Sequence, residues 1–217
     1  MLKIYGANLS SPANKVRMTA NVLGIEYEYI PVNLREGEHR AKEYLAMHPA
    51  GKVPVIDDDG FVLFESDAIM KYLAGSRSSP IYPNDIKKRA VADQWIDFVS
   101  IHVGGAMGRV VFNRVFAPFA KVPVDERSLD DGIKFLGRFL PVVDQQLSRS
   151  KYLAGNQFTL ADIALLAAVD PAEVAGIDLS PYGHIVKWRN ELRQKDFYTK
   201  CHASYDDVLK NMMSKTP

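Results

Sequence analysis

Residues 5–16 read YGANLSSPANKV, and the interpretation of this stretch decides the fold. It opens on the end of an apolar strand pattern, LKIYG at 2–6, passes through two serines and a proline, and continues as a helical pattern. That helix places apolar residues at Val16, Ala20 and Leu23 and stops at Gly24. Ser11 followed by Pro12 reads as N-cap and first helical position, because a serine oxygen accepts an orphan N–H and proline gives up none that the helix needs. Ser10 is then left uncommitted just before the cap. A negative group placed beside it would feel the partial positive charge and free N–H groups of the helix end. The competing reading of Ser10 is a second cap residue.

Outward from this stretch, IEYEYIPV at 25–32 alternates as a half-buried strand, completing a βαβ unit. The segment 33–51, NLREGEHRAKEYLAMHPAG, is polar and then helical from about Glu38 to Met47. KVPVIDDDGFVLFES at 52–66 predicts a hairpin with Asp59-Gly60 at its turn, between strands near Val53–Ile56 and Phe61–Phe64. A proline disturbs a central strand, so Pro54 marks an edge or a cis bond that leaves the neighbouring N–H and C=O open to a ligand. SDAIMKYLAG at 66–75 predicts a helix with Ser66 as N-cap. The order β-α-β-α-β-β-α is a small α/β layer with a mixed sheet.

Residues 76–85, SRSSPIYPND, read as a linker, and everything beyond is helical in pattern. Ile86–Phe116 is one long helix or two, with Gly104, Gly105 and Gly108 kinking it or permitting close packing. A second long pattern, about Asp125–Leu147, contains Pro141 and is expected to bend there. In NQFTLADIALLAAV, 156–169, Thr159 and Asp162 form a capping box and Phe158 with Ile163 a hydrophobic staple, ahead of a helix apolar on every side. Further helices are expected at about Tyr182–Lys195 and Ser204–Met213, with fraying from Ser214. The expected domains are therefore 1–75, a linker at 76–85, and an all-helical 86–217.

The chain has 217 residues, 47% of them hydrophobic, and a formal net charge of +1. That balance gives no electrostatic basis for binding nucleic acid or an anionic membrane. No apolar run approaches the roughly 18 residues of a membrane span, and the N-terminus reads as a strand rather than a signal peptide. The single cysteine, Cys201, excludes an intrachain disulfide and suits a reducing, cytosolic compartment; it reads as a buried thiol near the last helix. No pair of histidines with a carboxylate shows metal-ligand spacing, so no metal is expected.

Four segments together, YGANLSSPANKVR at 5–17, LREGEHR at 34–40, AGKVPVIDDDGFVLFESDAIMKYL at 50–73 and FTLADI at 158–163, resemble the cytosolic glutathione transferases, most closely the serine-using phi-like and theta-like classes. The resemblance spans the whole chain. It implies a thioredoxin-like N-terminal domain, an all-α C-terminal domain and a homodimer. It also implies catalysis by Ser10 on the thiol of glutathione, a co-substrate, which is conjugated to a hydrophobic electrophile.

The residues agree chemically. Where a thioredoxin-type enzyme needs C-x-x-C, this chain has Ser10-Ser11-Pro12-Ala13, so the substrate must bring the sulfur. Lowering a thiol pKa by about two units takes roughly 2.7 kcal/mol of preferential thiolate stabilisation. A charge-assisted hydrogen bond supplies about 1.5–3 kcal/mol and a helix N-terminus about 0.3–1 kcal/mol. Ser10 and the helix end therefore suffice without a general base. Tyr5, the alternative hydroxyl, lies inside the strand and reads as core.

Carried over from the family, Ser66 and Glu65 are assigned to the γ-glutamyl carboxylate and ammonium, and the backbone of Val53 beside Pro54 to the cysteinyl backbone. Lys52 and His39, with Arg40 behind them, are assigned to the glycyl carboxylate; the competing reading of His39 and Arg40 is a solvated charge run before a helix. For the electrophile, His102, Arg109, Asn113 and Phe116 recur at helical spacing, and Leu9 and Phe112 would line an apolar side; the competing reading of that stripe is core. Two rival functions stand beside conjugation: a glutathione-dependent peroxidase or dehalogenase on the same site, and a non-catalytic ligand carrier.

Overall fold

A computed structural model describes residues 1–201. These divide into two compact units: Met1–Ser79 together with residues from Lys195 onward, and Pro80–Gln194. The grouping differs from the expected one at its end, because the short helix Asp196–Thr199 packs on the first helix of the N-terminal unit, where the Asn21 side-chain amide donates to Phe197 O at 2.9 Å. Cys201 is buried beside it, and the same amide donates to its sulfur at 3.4 Å. The helix expected at Ser204–Met213 and the frayed tail lie outside the described residues.

In the N-terminal unit, β1 (Leu2–Gly6), β2 (Tyr27–Pro31), β3 (Val55–Asp58) and β4 (Phe61–Phe64) form one sheet in the order β2-β1-β3-β4. β1 runs parallel to β2 and antiparallel to β3, and β3 and β4 form the hairpin. Its turn falls on Asp59 and Gly60, with φ of 50° and 94°, and Gly60 N–H donates to Asp57 at 2.8 Å. The strand alternation sorts the two faces. Leu2, Ile4 and Ile56 bury against Val16 and Ala20 of α1 (Ser11–Val22) and Ile69 and Leu73 of α3 (Ser66–Gly75). Tyr5 and Val55 point to the other face, beside Tyr44 of α2 (Lys42–Met47), and the Tyr5 and Tyr44 rings meet edge-on at 6.5 Å. Tyr5 is thus a packing residue.

β3 begins at Val55 rather than at Val53. Pro54 lies immediately outside the ladder, buried, with the Val53–Pro54 peptide cis; the strand avoids losing a ladder donor to the proline ring by starting after it. The helix expected over 38–47 is split at Ala41, an extended residue with ψ 147°, into a 3-10 turn (Glu38–Arg40) and α2.

The second unit is helical. Ile86–Phe116 runs without a break, but only α4 (Ile86–Phe98) and α5 (Gly105–Val111) are α-helical; Val99–Gly104 and Phe112–Phe116 are π-helical turns, and α6 (Ala117–Ala120) follows. Gly104 closes the first widened turn, whereas a Cβ at Gly105 or Gly108 would meet nothing within 4 Å, so the close packing expected at this cluster falls instead at Gly132. α7 (Glu126–Arg149), capped by Asp125, crosses α5 so tightly that a Cβ on Gly132 would stand 2.9 Å from Ala106 O. α8 (Leu160–Val169) is buried along its entire length, as an all-apolar helix requires. Both halves of its capping box form: Thr159 accepts from Ala161 N–H at 3.3 Å, and Asp162 accepts from Thr159 N–H at 2.9 Å. α9 (Gly183–Arg193) completes the unit. No helix among the described residues is long and apolar enough to cross a membrane.

Candidate active site

The loop 7–10 between β1 and α1 ends on Ser10, which is extended at φ −86°, ψ 107° and is the N-cap of α1. Its oxygen accepts from Ala13 N–H at 3.3 Å, its own N–H donates to Ala7 O at 2.9 Å, and Asn14 N–H donates to its carbonyl at 2.9 Å. Ser11 and Pro12 occupy the first two helical positions. This corrects the expectation that Ser11 caps the helix. The physical reason is that Pro is equally suited to the first turn one place further in, since no N–H there has an intrahelical acceptor. Capping and catalysis are not exclusive for a hydroxyl, because it accepts through a lone pair and keeps its proton to donate. A hydroxyl already accepting from a helix-end N–H is polarised toward being a better donor.

The loop is held from below by residues that the sequence pattern did not single out. Asn14, 1% exposed, donates to Asn8 O at 3.0 Å and accepts from the Arg17 guanidinium at 3.4 Å. Arg17 is itself buried, 4.3 Å above the ring of Tyr29. Burial outweighs the nearby guanidinium and pushes the Tyr29 phenol up to about 12. Gly6 admits this packing, since a Cβ there would stand 2.9 Å from Ala13 Cβ and 3.1 Å from the Tyr29 hydroxyl.

The start of α3 is finished differently. Glu65, and not Ser66, occupies the cap position, with φ 69° and ψ 111° and no side-chain hydrogen bond to the helix end. The left-handed φ is what prevents the expected arrangement: it turns the chain so that Ser66 is already helical. Such a backbone costs a non-glycine residue on the order of 1–3 kcal/mol and persists where the surroundings hold it. The first intrahelical bond runs from Ile69 N–H to Glu65 O at 2.9 Å, so the N–H groups of Ser66, Asp67 and Ala68 precede the helical ladder. A half-buried Asp67 at the second position meets Lys15 Nζ of α1 at 2.5 Å.

Val53, joined to Pro54 by the cis peptide, belongs to no ladder pair and packs beside Val32, Tyr44 and Val55. Lys52 is exposed, and its carbonyl accepts from the Tyr44 hydroxyl at 2.8 Å. Next to it Gly51, at φ 58°, is so close to the 3-10 turn that a Cβ would lie 2.8 Å from His39 O. The fold thus sets the backbone of Gly51, the residue before Lys52, against the carbonyl of His39. The buried Nδ1 of His39 has no hydrogen-bond partner among the described residues. Arg40 is exposed beside it.

The residues expected to face the electrophile behave unequally. Leu9 is half-buried in the loop before Ser10. In the helical unit Phe112 is 49% exposed, Phe116 half-buried, and Arg109 exposed with a long contact to Ser128 Oγ at 3.4 Å. Asn113 is a correction: it is 2% exposed, its amide donates to Arg109 O at 2.9 Å and accepts from Asp125 N–H at 2.8 Å, so it pins the entry to α7. His102 sits between Phe98 and Phe139, with ring centroids 5.1 and 4.8 Å away. Among the described residues, no three His, Cys, Asp or Glu side chains gather as metal ligands.

Comparison with known proteins agrees with this geometry. Residues 1–75 match the family model for the glutathione S-transferase N-terminal domain, and residues 107–196 the model for the C-terminal domain. The chain is 32% identical over 212 residues to glutathione S-transferase F10 of Arabidopsis thaliana, covering 94% of this chain and 98% of that one. The crystal structure of glutathione transferase F2 from Populus trichocarpa aligns with a TM-score of 0.86 at 29% identity, over 97% of this chain and 100% of the other. A theta class enzyme from Xanthomonas axonopodis pv. citri, solved with glutathione bound, aligns with a TM-score of 0.84 at 28% identity, over 92% and 95%.

Proposed function

This chain belongs to the glutathione transferase family, and on that premise we propose how its residues divide the work of an enzyme whose substrate is glutathione. Ser10 donates its hydroxyl hydrogen to the substrate sulfur and keeps it as thiolate, the proton leaving to solvent. The thiolate then attacks an electrophilic centre. With an aromatic halide a C–S bond forms and halide departs; with an activated alkene the new carbanion takes a proton from water. Catalysis is thiolate activation plus proximity.

The observation that carries this reading is the Ser10 hydroxyl, fixed at the mouth of α1 by the Ala13 N–H with its own proton available. Val53, just ahead of β3, offers backbone outside the ladder to the cysteinyl residue next to Pro54. The first turn of α3, with the Ser66 hydroxyl, receives the γ-glutamyl carboxylate, and Glu65 its ammonium. Lys52 and His39 receive the glycyl carboxylate, with Arg40 adding positive charge. In the helical unit, Arg109, Phe112 and Phe116 are assigned to the electrophile. We further propose a cytosolic homodimer acting on hydrophobic acceptors, with glutathione-binding residues within 1–75 and the helical domain following the 76–85 linker.

The test is a parallel assay of purified enzyme with glutathione and either a chlorinated dinitrobenzene or an organic hydroperoxide. Conjugation is expected to dominate. Turnover of the hydroperoxide alone would reassign the enzyme as a glutathione peroxidase on the same site, with oxidation of two glutathione thiols to the disulfide accompanying reduction of the peroxide to alcohol and water.

A further inference from the structure

The second position of α3 carries an acid, Asp67, in the same turn that is proposed to receive the γ-glutamyl carboxylate. An acid in a helix's first turn is favourable for the helix but competes with any other anion there. Asp67 is held aside by Lys15, whose Nζ lies 2.5 Å from its Oδ1 and whose side chain is 9% exposed, against 27% for Asp67. Lys15 comes from α1, five residues after Ser10, so the pair bridges the two helices whose N-terminal ends carry the thiol and γ-glutamyl subsites.

We infer that Lys15 is a charge-compensating positioning residue: it neutralises Asp67 so that the start of α3 accepts the γ-glutamyl carboxylate, and it fixes that start relative to the helix that presents Ser10. The inference rests on the assignment of α3 to the γ-glutamyl group. In a partly buried pair, removing the cation leaves an acid exposed to whatever binds beside it. The consequence falls on substrate binding more than on the chemical step, because the uncompensated charge acts on a carboxylate remote from the sulfur.

The test uses full-length enzyme and three variants. Lys15→Met should raise KM for glutathione about five- to tenfold, the effect of one unit charge a few ångströms away at a solvent-facing site, with kcat nearly unchanged. The double variant Lys15→Met/Asp67→Asn should bring KM back to within about twofold of the parent, because the competing anion is gone. Broken helix–helix packing alone would not be rescued in this way, and thermal melts of both variants register that loss separately. An unchanged or lowered KM in Lys15→Met, or equal losses in the single and double variants, overturns the inference. Ser66→Ala distinguishes the two levels: no change in glutathione KM there removes the assignment of α3 itself, whereas a raised KM in Ser66→Ala alongside a silent Lys15→Met removes only the role of Lys15.

Discussion

Replacing Ser10 with alanine lowers the rate of conjugation at neutral pH by about 10- to 150-fold, the kinetic equivalent of one charge-assisted hydrogen bond of about 1.5–3 kcal/mol. Glutathione affinity, measured by calorimetry, stays within several-fold, since most of the tripeptide is held by other residues. The pH–rate profile carries the mechanistic signature. Without the donor the bound thiol titrates higher, so activity falls most at neutral pH and recovers as the pH rises past the free-thiol range near 8.5. Because Ser10 also caps α1, alanine costs about 0.5–2 kcal/mol of stability as well, whereas glycine at an N-cap costs only a few tenths. Ser10→Gly therefore separates the two roles: an equal loss of rate in both variants assigns the effect to the missing hydroxyl. Full activity in either would reject Ser10 as the thiolate donor.

The largest effect on stability is expected at Asp162. Its carboxylate accepts from Leu153 N–H and Thr159 N–H, each at 2.9 Å, and from Trp188 Nε1 at 3.2 Å, joining the segment before α8, the cap of α8, and α9. Alanine leaves those buried donors unmatched, at about 1–3 kcal/mol each before relaxation. We expect a net loss of about 4 kcal/mol and a Tm lowered by roughly 8–16 °C in calorimetry. A shift under about 3 °C would refute the role.

The pH dependence has a definite sign. Burial outweighs the donors and pushes the Asp162 carboxyl from 3.8 up to about 6. The folded protein therefore holds this proton more tightly than the unfolded chain. The associated stabilisation is complete below about pH 4 and is lost as the pH rises through about 6. Asp162→Asn removes the titration, so the difference in stability between parent and variant should change across that interval and level off above it.

The N-terminal stretch was legible as a mixed sheet with a hairpin, because β1 and β2 are short and alternate and because Asp59-Gly60 marks the turn between β3 and β4, whose own burial does not alternate. At Pro54 the sequence left two arrangements open, an edge position or a cis peptide, and the structure has the cis peptide. Helix starts were less legible. Two serines in a row before Pro12 satisfy the same cap chemistry one residue apart, and at Glu65 a left-handed backbone, which composition does not announce in a glutamate, moved the cap back by one.

The helical unit was legible in outline but not in register. His102, Arg109, Asn113 and Phe116 share a stripe only if every turn has 3.6 residues. The wide turns at Val99–Gly104 and Phe112–Phe116 rotate the residues beyond them out of that register, and Asn113 ends inside while Phe112 ends outside. Asn14, Lys15 and Arg17 were hidden because their polarity reads as a solvated face; their burial depends on neighbours remote in sequence.

The backbone of Glu65 sits where glycine is at ease and glutamate is not. Selection for heat resistance and selection for turnover should consequently diverge at this one codon. Glycine there would relieve a torsional penalty and harden the fold, yet it would strip away the carboxylate proposed to hold the substrate's ammonium. A library screened only for solubility or melting temperature would enrich the replacement and discard the catalyst.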